Sequence, residues 1–181
     1  VSGLLDRLQE KLSESERLEQ LIRQRVKAKQ LTGLLSEVEA LLNLQPNRES
    51  VLKLRDQLIE RNRKLRDRCE TAYAAAERLF ASQDYAGCLS ALAKIDTSML
   101  TDDMYAIPKS EFNLLRQKAK KNQDRLGTLR SSIDAAMKEN RLHGLLNQVQ
   151  EFLKLQAGDA GMEHLRDQLI ARDEKNAAET A

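Results

Sequence analysis

The sequence predicts an all-α protein in which long and short helices alternate as an elongated array of helical hairpins. The composition is the first reason, because the 181 residues are rich in strong helix formers and include only 3% aromatic residues, two prolines and seven glycines. The second reason is an internal duplication, and the third is a spacing of apolar residues by three and four positions. No strand is predicted.

The duplication relates two segments that lie 111 positions apart. Leu31–Arg61 aligns without a gap to Leu142–Arg172, with 15 identities in 31 positions. A shorter template, a glycine followed by an apolar residue and a leucine, occurs a third time between them. Its glycines are 54 and 57 residues apart, a period that predicts stacked units as in an α-solenoid. The structural repeat positions are Gly33, Gly87, Gly144, Leu35, Leu89 and Leu146.

The long helices are predicted from apolar stripes. In the last of them, steps of three and four place apolar residues of 112–136 on one face of a helix over 109–139. A similar stripe runs through 51–79, and a looser one through 5–26. A long helix alone cannot bury its apolar stripe, so a short helix is expected to fold back over part of the stripe.

Helix breaks are predicted just before each glycine template, at 27–30, 81–84 and 138–141. The longest irregular stretch is 96–110, and a last helix begins at about Gly161. The order is therefore a long helix and a short helix, three times over, followed by a final helix.

These breaks divide one helical-repeat region, 1–181, into units. The units cover approximately 1–46, 47–108 and 109–158, with a partial unit at 159–181. The chain starts with a valine inside a helical pattern, so we expect it to be part of a longer protein.

The ends of the array are predicted to be open. A repeat array needs a polar cap at each end, and the start at Leu4, Leu5 and Leu8 is apolar. The last helix ends in a polar stretch, so we expect it to fray after about Asp173. Apolar surface is expected near Phe152, Leu155 and Leu169. A homodimer through these uncapped ends would bury it.

We interpret the three glycines as packing residues. Glycine inside a helix costs roughly 1 kcal/mol relative to alanine, so its use at one template position suggests a close approach of the long helix. The leucines two positions later would fill the neighbouring space between the helices. On this basis Gly87→Leu is expected to destabilise the fold by about 1–3 kcal/mol through overpacking.

Two segments resemble parts of a tetratricopeptide repeat. SQDYAGCLSALAKID (82–96) resembles its second helix, and VEALLNLQPN (38–47) resembles the end of that helix. The resemblance covers Gln30–Asn47, Ser82–Asp96 and Glu139–Gln156. It implies tetratricopeptide-like hairpins with an atypically long first helix, as in helical-repeat segments of large bacterial multidomain proteins. The units are longer than the 34 residues of the family, so its concave peptide groove is not carried over.

The composition and motifs favour a protein without catalytic activity. His143 and His164 have no carboxylate or cysteine at metal-ligand spacing, and no nucleophile motif or phosphate-binding loop is present. We therefore predict no catalytic, cofactor or metal site. Cys69 and Cys88 lie at apolar helix positions and are expected to fill the core of a reduced, cytoplasmic protein. No segment predicts a membrane span.

Two basic runs are candidate docking sites. Each contains five cations and one acid, and the simplest interpretation is a solvated helix face. The alternative is a stripe that binds an acidic peptide, nucleic acid or anionic lipid. Nucleic acid is disfavoured because no aromatic residue is interleaved for stacking on bases. The cations are Arg61, Arg63, Lys64, Arg66 and Arg68, and Arg116, Lys118, Lys120, Lys121 and Arg125.

The functional hypothesis is a non-catalytic scaffold or protein–protein interaction segment that holds a protein partner or neighbouring domains of the same chain. One alternative is a spectrin-like or coiled-coil rod, in which Leu4–Asn43 and Lys109–Leu155 are each one uninterrupted helix. A helix break at Lys29–Leu31 and Glu139–Leu142 would separate the two. The other alternative is an electrostatic binder of nucleic acid or anionic membrane, whose binding would weaken steeply with salt.

Overall fold

The computed structural model describes residues 2–96 and 107–181, and for Ser2 only the backbone. Within these ranges the chain forms seven α-helices, which hold 83% of the residues, and no strand. The all-α prediction is confirmed. Most of the irregular stretch predicted at 96–110 lies outside the described residues. The helices are α1 (Ser2–Lys27), α2 (Leu34–Leu44), α3 (Glu49–Ala81), α4 (Tyr85–Ala93), α5 (Lys109–Lys138), α6 (Leu145–Leu155) and α7 (Ala160–Thr180).

The three long helices α1, α3 and α5 end in the same way. Each is followed by a non-glycine residue in the left-handed region, with φ of 57° at Lys29, 64° at Gln83 and 52° at Asn140. The next N–H then donates back to a carbonyl five residues earlier, from Gln30 to Arg25 and from Asp84 to Leu79, for example. This is the Schellman arrangement, which satisfies carbonyls at a helix end. The sequence repeat therefore marks a repeated helix stop.

These stops separate the long helices from the short ones. The alternative in which Leu4–Asn43 and Lys109–Leu155 are uninterrupted helices is wrong, because α1 stops at Lys27 and α5 stops at Lys138. The left-handed residue reverses the direction of the chain, so each short helix can turn back.

The chain divides into two compact units. The first contains Val1–Thr71 and Ile95–Lys109, and here α1 packs against α2 and against the first part of α3. Partly buried leucines such as Leu35 surround this core. Its buried residues are Leu18, Ile22, Leu34, Val38, Leu41, Leu42, Val51 and Leu58.

The second unit contains Ala72–Lys94 and Ser110–Ala181. Within it α6 packs against α7, and both cover the second half of α5. Leu146 lies partly buried at the edge of this core. Its buried residues are Leu129, Ile133, Ala136, Leu145, Val149, Phe152, Met162 and Leu169.

The two cores are built from equivalent positions. Seven of the eight buried residues in one core lie 111 positions from a buried residue in the other. Leu18 and Ile22 of α1 correspond in this way to Leu129 and Ile133 of α5. The duplication therefore includes the long helix that precedes the aligned segment, where few identities remain.

The first half of α5 packs within the second unit against a different partner. Leu115 and Ala119 are buried, and the ring of Phe112 meets that of Tyr73 edge-on, with ring centroids 4.8 Å apart. Tyr73 belongs to the end of α3, and Cys88 of the neighbouring α4 is fully buried. Tyr73 and Phe112 thus join the end of α3 to the first half of α5.

The interpretation of the glycines as close-packing residues is wrong. Gly33 and Gly144 precede α2 and α6, with φ of 72° and 73°, a conformation that glycine adopts without strain. A Cβ on Gly144 would meet no atom within 4 Å. Gly87 lies in the first turn of α4, where a Cβ would stand within 3 Å of the Asp84 carboxylate rather than against the long helix. Leu89 is half-buried on α4.

The final helix differs from two expectations. It remains helical to Thr180 instead of ending near Asp173, although every side chain from Ala171 onwards is exposed. Phe152 and Leu169 are buried in the second core, so the expected apolar surface at these two residues is not present. Met162 and Leu169 of α7 supply the cover.

Candidate interaction surfaces

The basic run on α3 is largely paired with acids on the same helix. Arg63 contacts Glu60 at 2.8 Å and Asp67 at 2.9 Å, and Lys64 lies 3.6 Å from Glu60. The hydrogen bond from Arg63 lowers the pKa of Glu60. Arg66 and Arg68 are exposed, whereas Arg61 is half-buried. The local field is therefore mixed in sign.

The five cations of the basic run on α5 are all exposed, and two of them are paired. Lys120 lies 3.1 Å from Asp124. Arg125 donates two hydrogen bonds to Glu151 of α6, at 2.7 and 2.8 Å, which lowers the pKa of that carboxyl. The other three cations are Arg116, Lys118 and Lys121. This run is a solvated helix face that also ties α5 to α6.

An apolar face occupies the first three turns of α1. Leu4, Leu5, Leu8 and Leu12 are 67%, 60%, 57% and 61% exposed. Exposed leucines are common singly, but four at helical spacing make one contiguous patch, and such patches mark interaction sites. We call these four residues the leucine face.

The duplication shows what such positions look like when they are covered. Leu4 corresponds to Leu115 of α5, and Leu8 corresponds to Ala119, each 111 positions later. Both α5 residues are buried in the second unit, in the half of α5 that contacts the end of α3 through Phe112 and Tyr73. Two of the four leucines, Leu4 and Leu8, therefore lie at positions that the second copy buries, whereas Leu5 and Leu12 correspond to the polar residues Arg116 and Gln123.

A groove of about 360 Å³ lies in the first unit between α1, α2 and the start of α3. Its floor is apolar and is formed by buried residues from all three helices. Val26 on its edge is 40% exposed. We call this cavity the α1–α3 groove. The apolar residues that line it are Ile22, Val26, Leu41, Val51 and Leu54.

Cations predominate on the rim of the α1–α3 groove. Arg48 donates to Glu19 through both terminal nitrogens, at 2.8 and 2.9 Å, and Arg23 reaches the same carboxylate at 2.7 Å. The hydrogen bond from Arg48 is the main reason why the pKa of Glu19 is lowered. Lys27 lines the groove as well and is exposed. Three cations and one carboxylate thus line the groove, and two of the cations pair with that carboxylate.

The equivalent place in the second unit has the charges exchanged. Arg130 stands where Glu19 stands, Asp159 stands where Arg48 stands, and the two are 2.9 Å apart. Phe152 replaces Leu41, and the Arg130 guanidinium lies over its ring, 4.9 Å from the centroid. The backbone N–H of Met162, ahead of Arg130, lowers the pKa of Asp159. The Phe152 ring and the Arg130 side chain thus occupy space next to each other in the second unit.

A polar bracket in the second unit joins the α3–α4 turn to the end of α6. The Gln83 amide donates to the carbonyl of Lys154 at 3.0 Å and accepts from the N–H of Ala157 at 2.7 Å. The Tyr85 hydroxyl donates to the carbonyl of Leu155 at 2.6 Å. Sequence reasoning missed this bracket, since a glutamine before a helix carries no signal for a distant backbone partner.

The two histidines lie on different elements of the second unit. His143 is in the turn before α6, and His164 on α7 lies 3.0 Å from the Gln168 amide. Among the described residues no group of three histidine, cysteine, aspartate or glutamate side chains could hold a metal ion. Cys69 and Cys88 are buried free thiols, and burial raises the pKa of each. In the same residues no helix is long and apolar enough to span a membrane.

Comparison with known proteins gives no match, since no family model, curated protein or solved structure is significantly similar to the chain.

Proposed function

We propose that the chain is a non-catalytic scaffold of tetratricopeptide-like helical hairpins that holds a protein partner. The observation that supports this function is the leucine face of α1. A partner that fully buries a leucine gains about 1.5–3 kcal/mol for that side chain. Four leucines on one face supply a useful part of the free energy of association, which has its own entropy cost.

The expected partner is a helical segment. In the second copy, the positions equivalent to Leu4 and Leu8 are buried, and Tyr73 of helix α3 contacts the same half of α5. An amphipathic helix that lies along α1 fits this face, because its leucines are spaced by three and four residues. Such a helix can come from a protein partner or a neighbouring domain, and α1 of a second copy presents one, so a free leucine face is also expected to bind a second copy of the chain.

Self-association of the purified chain tests this function, because a second copy is then the only protein available to the leucine face. We expect concentration-dependent association in sedimentation velocity that persists at 0.5 M salt, since apolar burial is not screened. The double variant Leu8→Glu, Leu12→Glu should be monomeric. Leu114→Glu is the matched control, because Leu114 is an isolated leucine that is 51% exposed.

Two results would contradict the proposal. One is a wild-type chain that stays monomeric at every concentration. The other is association that the leucine variants leave unchanged, or that salt abolishes, which would favour the electrostatic alternative.

A further inference from the structure

We propose that the α1–α3 groove binds an acidic peptide segment of a protein partner through one aromatic side chain of that segment. This inference goes beyond the proposed function, because the groove and the leucine face share no residue and are separate surfaces of the first unit. The space in the groove and the charges on its rim indicate this occupant.

The first copy has a smaller side chain than the second at the floor of the groove. Leu41 forms part of the groove floor in the first unit, and the equivalent Phe152 in the second unit is fully buried with Arg130 over its ring. A leucine has less volume than a phenylalanine, and in the first copy Glu19 turns to Arg48 instead of covering a ring. The groove of about 360 Å³ is large enough to admit an aromatic side chain. An aromatic ring from a partner would thus take a place like that of Phe152.

Positive charge predominates on the rim of the groove. Arg23, Lys27 and Arg48 line the rim, and Glu19 is the only acid among the lining residues. Arg48 and Arg23 share that carboxylate, while Lys27 is exposed. A carboxylate next to the bound ring would meet this excess of positive charge, and a basic segment would be repelled.

The test is a titration of the full chain with a fluorescein-labelled peptide of alanine and glutamate that has one central phenylalanine. Fluorescence anisotropy should show saturable binding, and the same peptide with alanine for phenylalanine should bind at least about tenfold more weakly. Amide NMR shifts should locate the contact on α1 and the start of α3.

Leu41→Phe is the decisive variant, because it fills the groove with the residue that the second copy tolerates at this position. We expect at least about tenfold weaker peptide binding with no loss of helicity or cooperative melting. Lys27→Glu should weaken binding as well, whereas Lys53→Glu, the same charge change on an exposed lysine that does not line the groove, should not.

No binding to the wild-type chain, or equal binding to wild type and Leu41→Phe, would overturn the proposal. A basic peptide that binds as tightly as the acidic one would overturn the charge argument. Failure here leaves the sedimentation result untouched, because Leu41 and Lys27 lie outside the leucine face.

Discussion

Lys29 occupies a backbone conformation that is unfavourable for a side chain. Its φ is 57°, and it lies in the turn that follows α1. A non-glycine residue in the left-handed region costs about 1 kcal/mol or more, whereas glycine adopts this region freely. Lys29→Gly should therefore raise the free energy of unfolding by about 1 kcal/mol, measured by urea denaturation. An unchanged or lower stability would contradict this account.

Gln83 is the matched comparison, because it has the same backbone conformation but also a bonded side chain. Gln83→Gly removes the two hydrogen bonds to the backbone of Lys154 and Ala157. Each is worth about 0.5–1.5 kcal/mol, which should outweigh the relief of strain. We expect Gln83→Gly to lower the free energy of unfolding by about 1 kcal/mol, opposite in sign to Lys29→Gly. Two variants of equal sign would show that the bracket contributes little.

Gly87 is required by the cap of α4. The N–H of Gly87 donates to the Asp84 carboxylate at 2.8 Å, and a Cβ would lie 2.3 Å from Oδ2 of that residue. Gly87→Ala should therefore displace the cap and lower stability by about 1 kcal/mol. In an Asp84→Ala background the cap is already lost, and Gly87→Ala should become neutral or stabilising because alanine favours helices. Additive effects in thermal melts would refute this coupling.

At the scale of elements, one ion pair in each copy joins a long helix to the turn before α3 or before α7. The acid and the base of this pair have exchanged positions between the copies. Glu19 and Arg48 in the first unit correspond to Arg130 and Asp159 in the second. Glu19→Arg should lower the melting temperature, because it sets three cations together. Adding Arg48→Asp should restore most of the loss, since it recreates the pair of the second unit. Exchanging the exposed pair Glu49 and Lys53 is the control and should change little.

The long helices were predictable from the sequence, but the way they end was only partly so. Apolar stripes fixed their extent to within a few residues. The breaks before each glycine were predicted correctly, yet lysine, glutamine and asparagine in the left-handed region give no strong stop signal. For that reason the sequence is also compatible with uninterrupted helices, which the left-handed conformations of Lys29 and Asn140 exclude. The sequence alignment also placed Gly33 and Gly87 at one template position, although they serve different turns.

At the scale of the whole molecule, the leucine face was indicated by the sequence, because the first residues are apolar and lack a polar cap. The α1–α3 groove was not predictable, because it depends on three helices meeting and on Leu41 standing where the second copy has Phe152. The exchange of Glu19 and Arg130 lies outside the aligned segment, so sequence identity alone does not reveal it. Local periodicity predicts elements, whereas a groove depends on how side chains from distant elements combine.

The pH dependence of stability follows from the shifted groups of the whole chain. Hydrogen bonds from arginines or a backbone N–H lower the pKa of Glu14, Glu19, Glu60, Glu151 and Asp159. A carboxyl whose pKa is lower in the folded state stabilises the fold above its unfolded value, near 4. That contribution is lost as the pH falls through the folded pKa.

Buried groups act at the other end of the pH range. Burial raises the pKa of Cys69, Cys88 and Tyr73. The unfolded chain releases these protons first, so stability should also decline as the pH rises above about 8.5, the ordinary thiol value. The melting temperature should therefore form a plateau between about pH 5 and 8.

Circular-dichroism melts across pH 2–10 would measure this plateau, and Asp159→Asn tests its acid side. Asparagine keeps the α7 cap, because its side-chain oxygen still accepts the N–H of Met162, but it cannot titrate or pair with the charge of Arg130. The variant should start from a lower plateau and lose less stability than the wild type below about pH 4. Its alkaline limb should match the wild type, because Cys69, Cys88 and Tyr73 are unchanged. Parallel acid limbs would show that Asp159 ionises equally in the folded and unfolded chains.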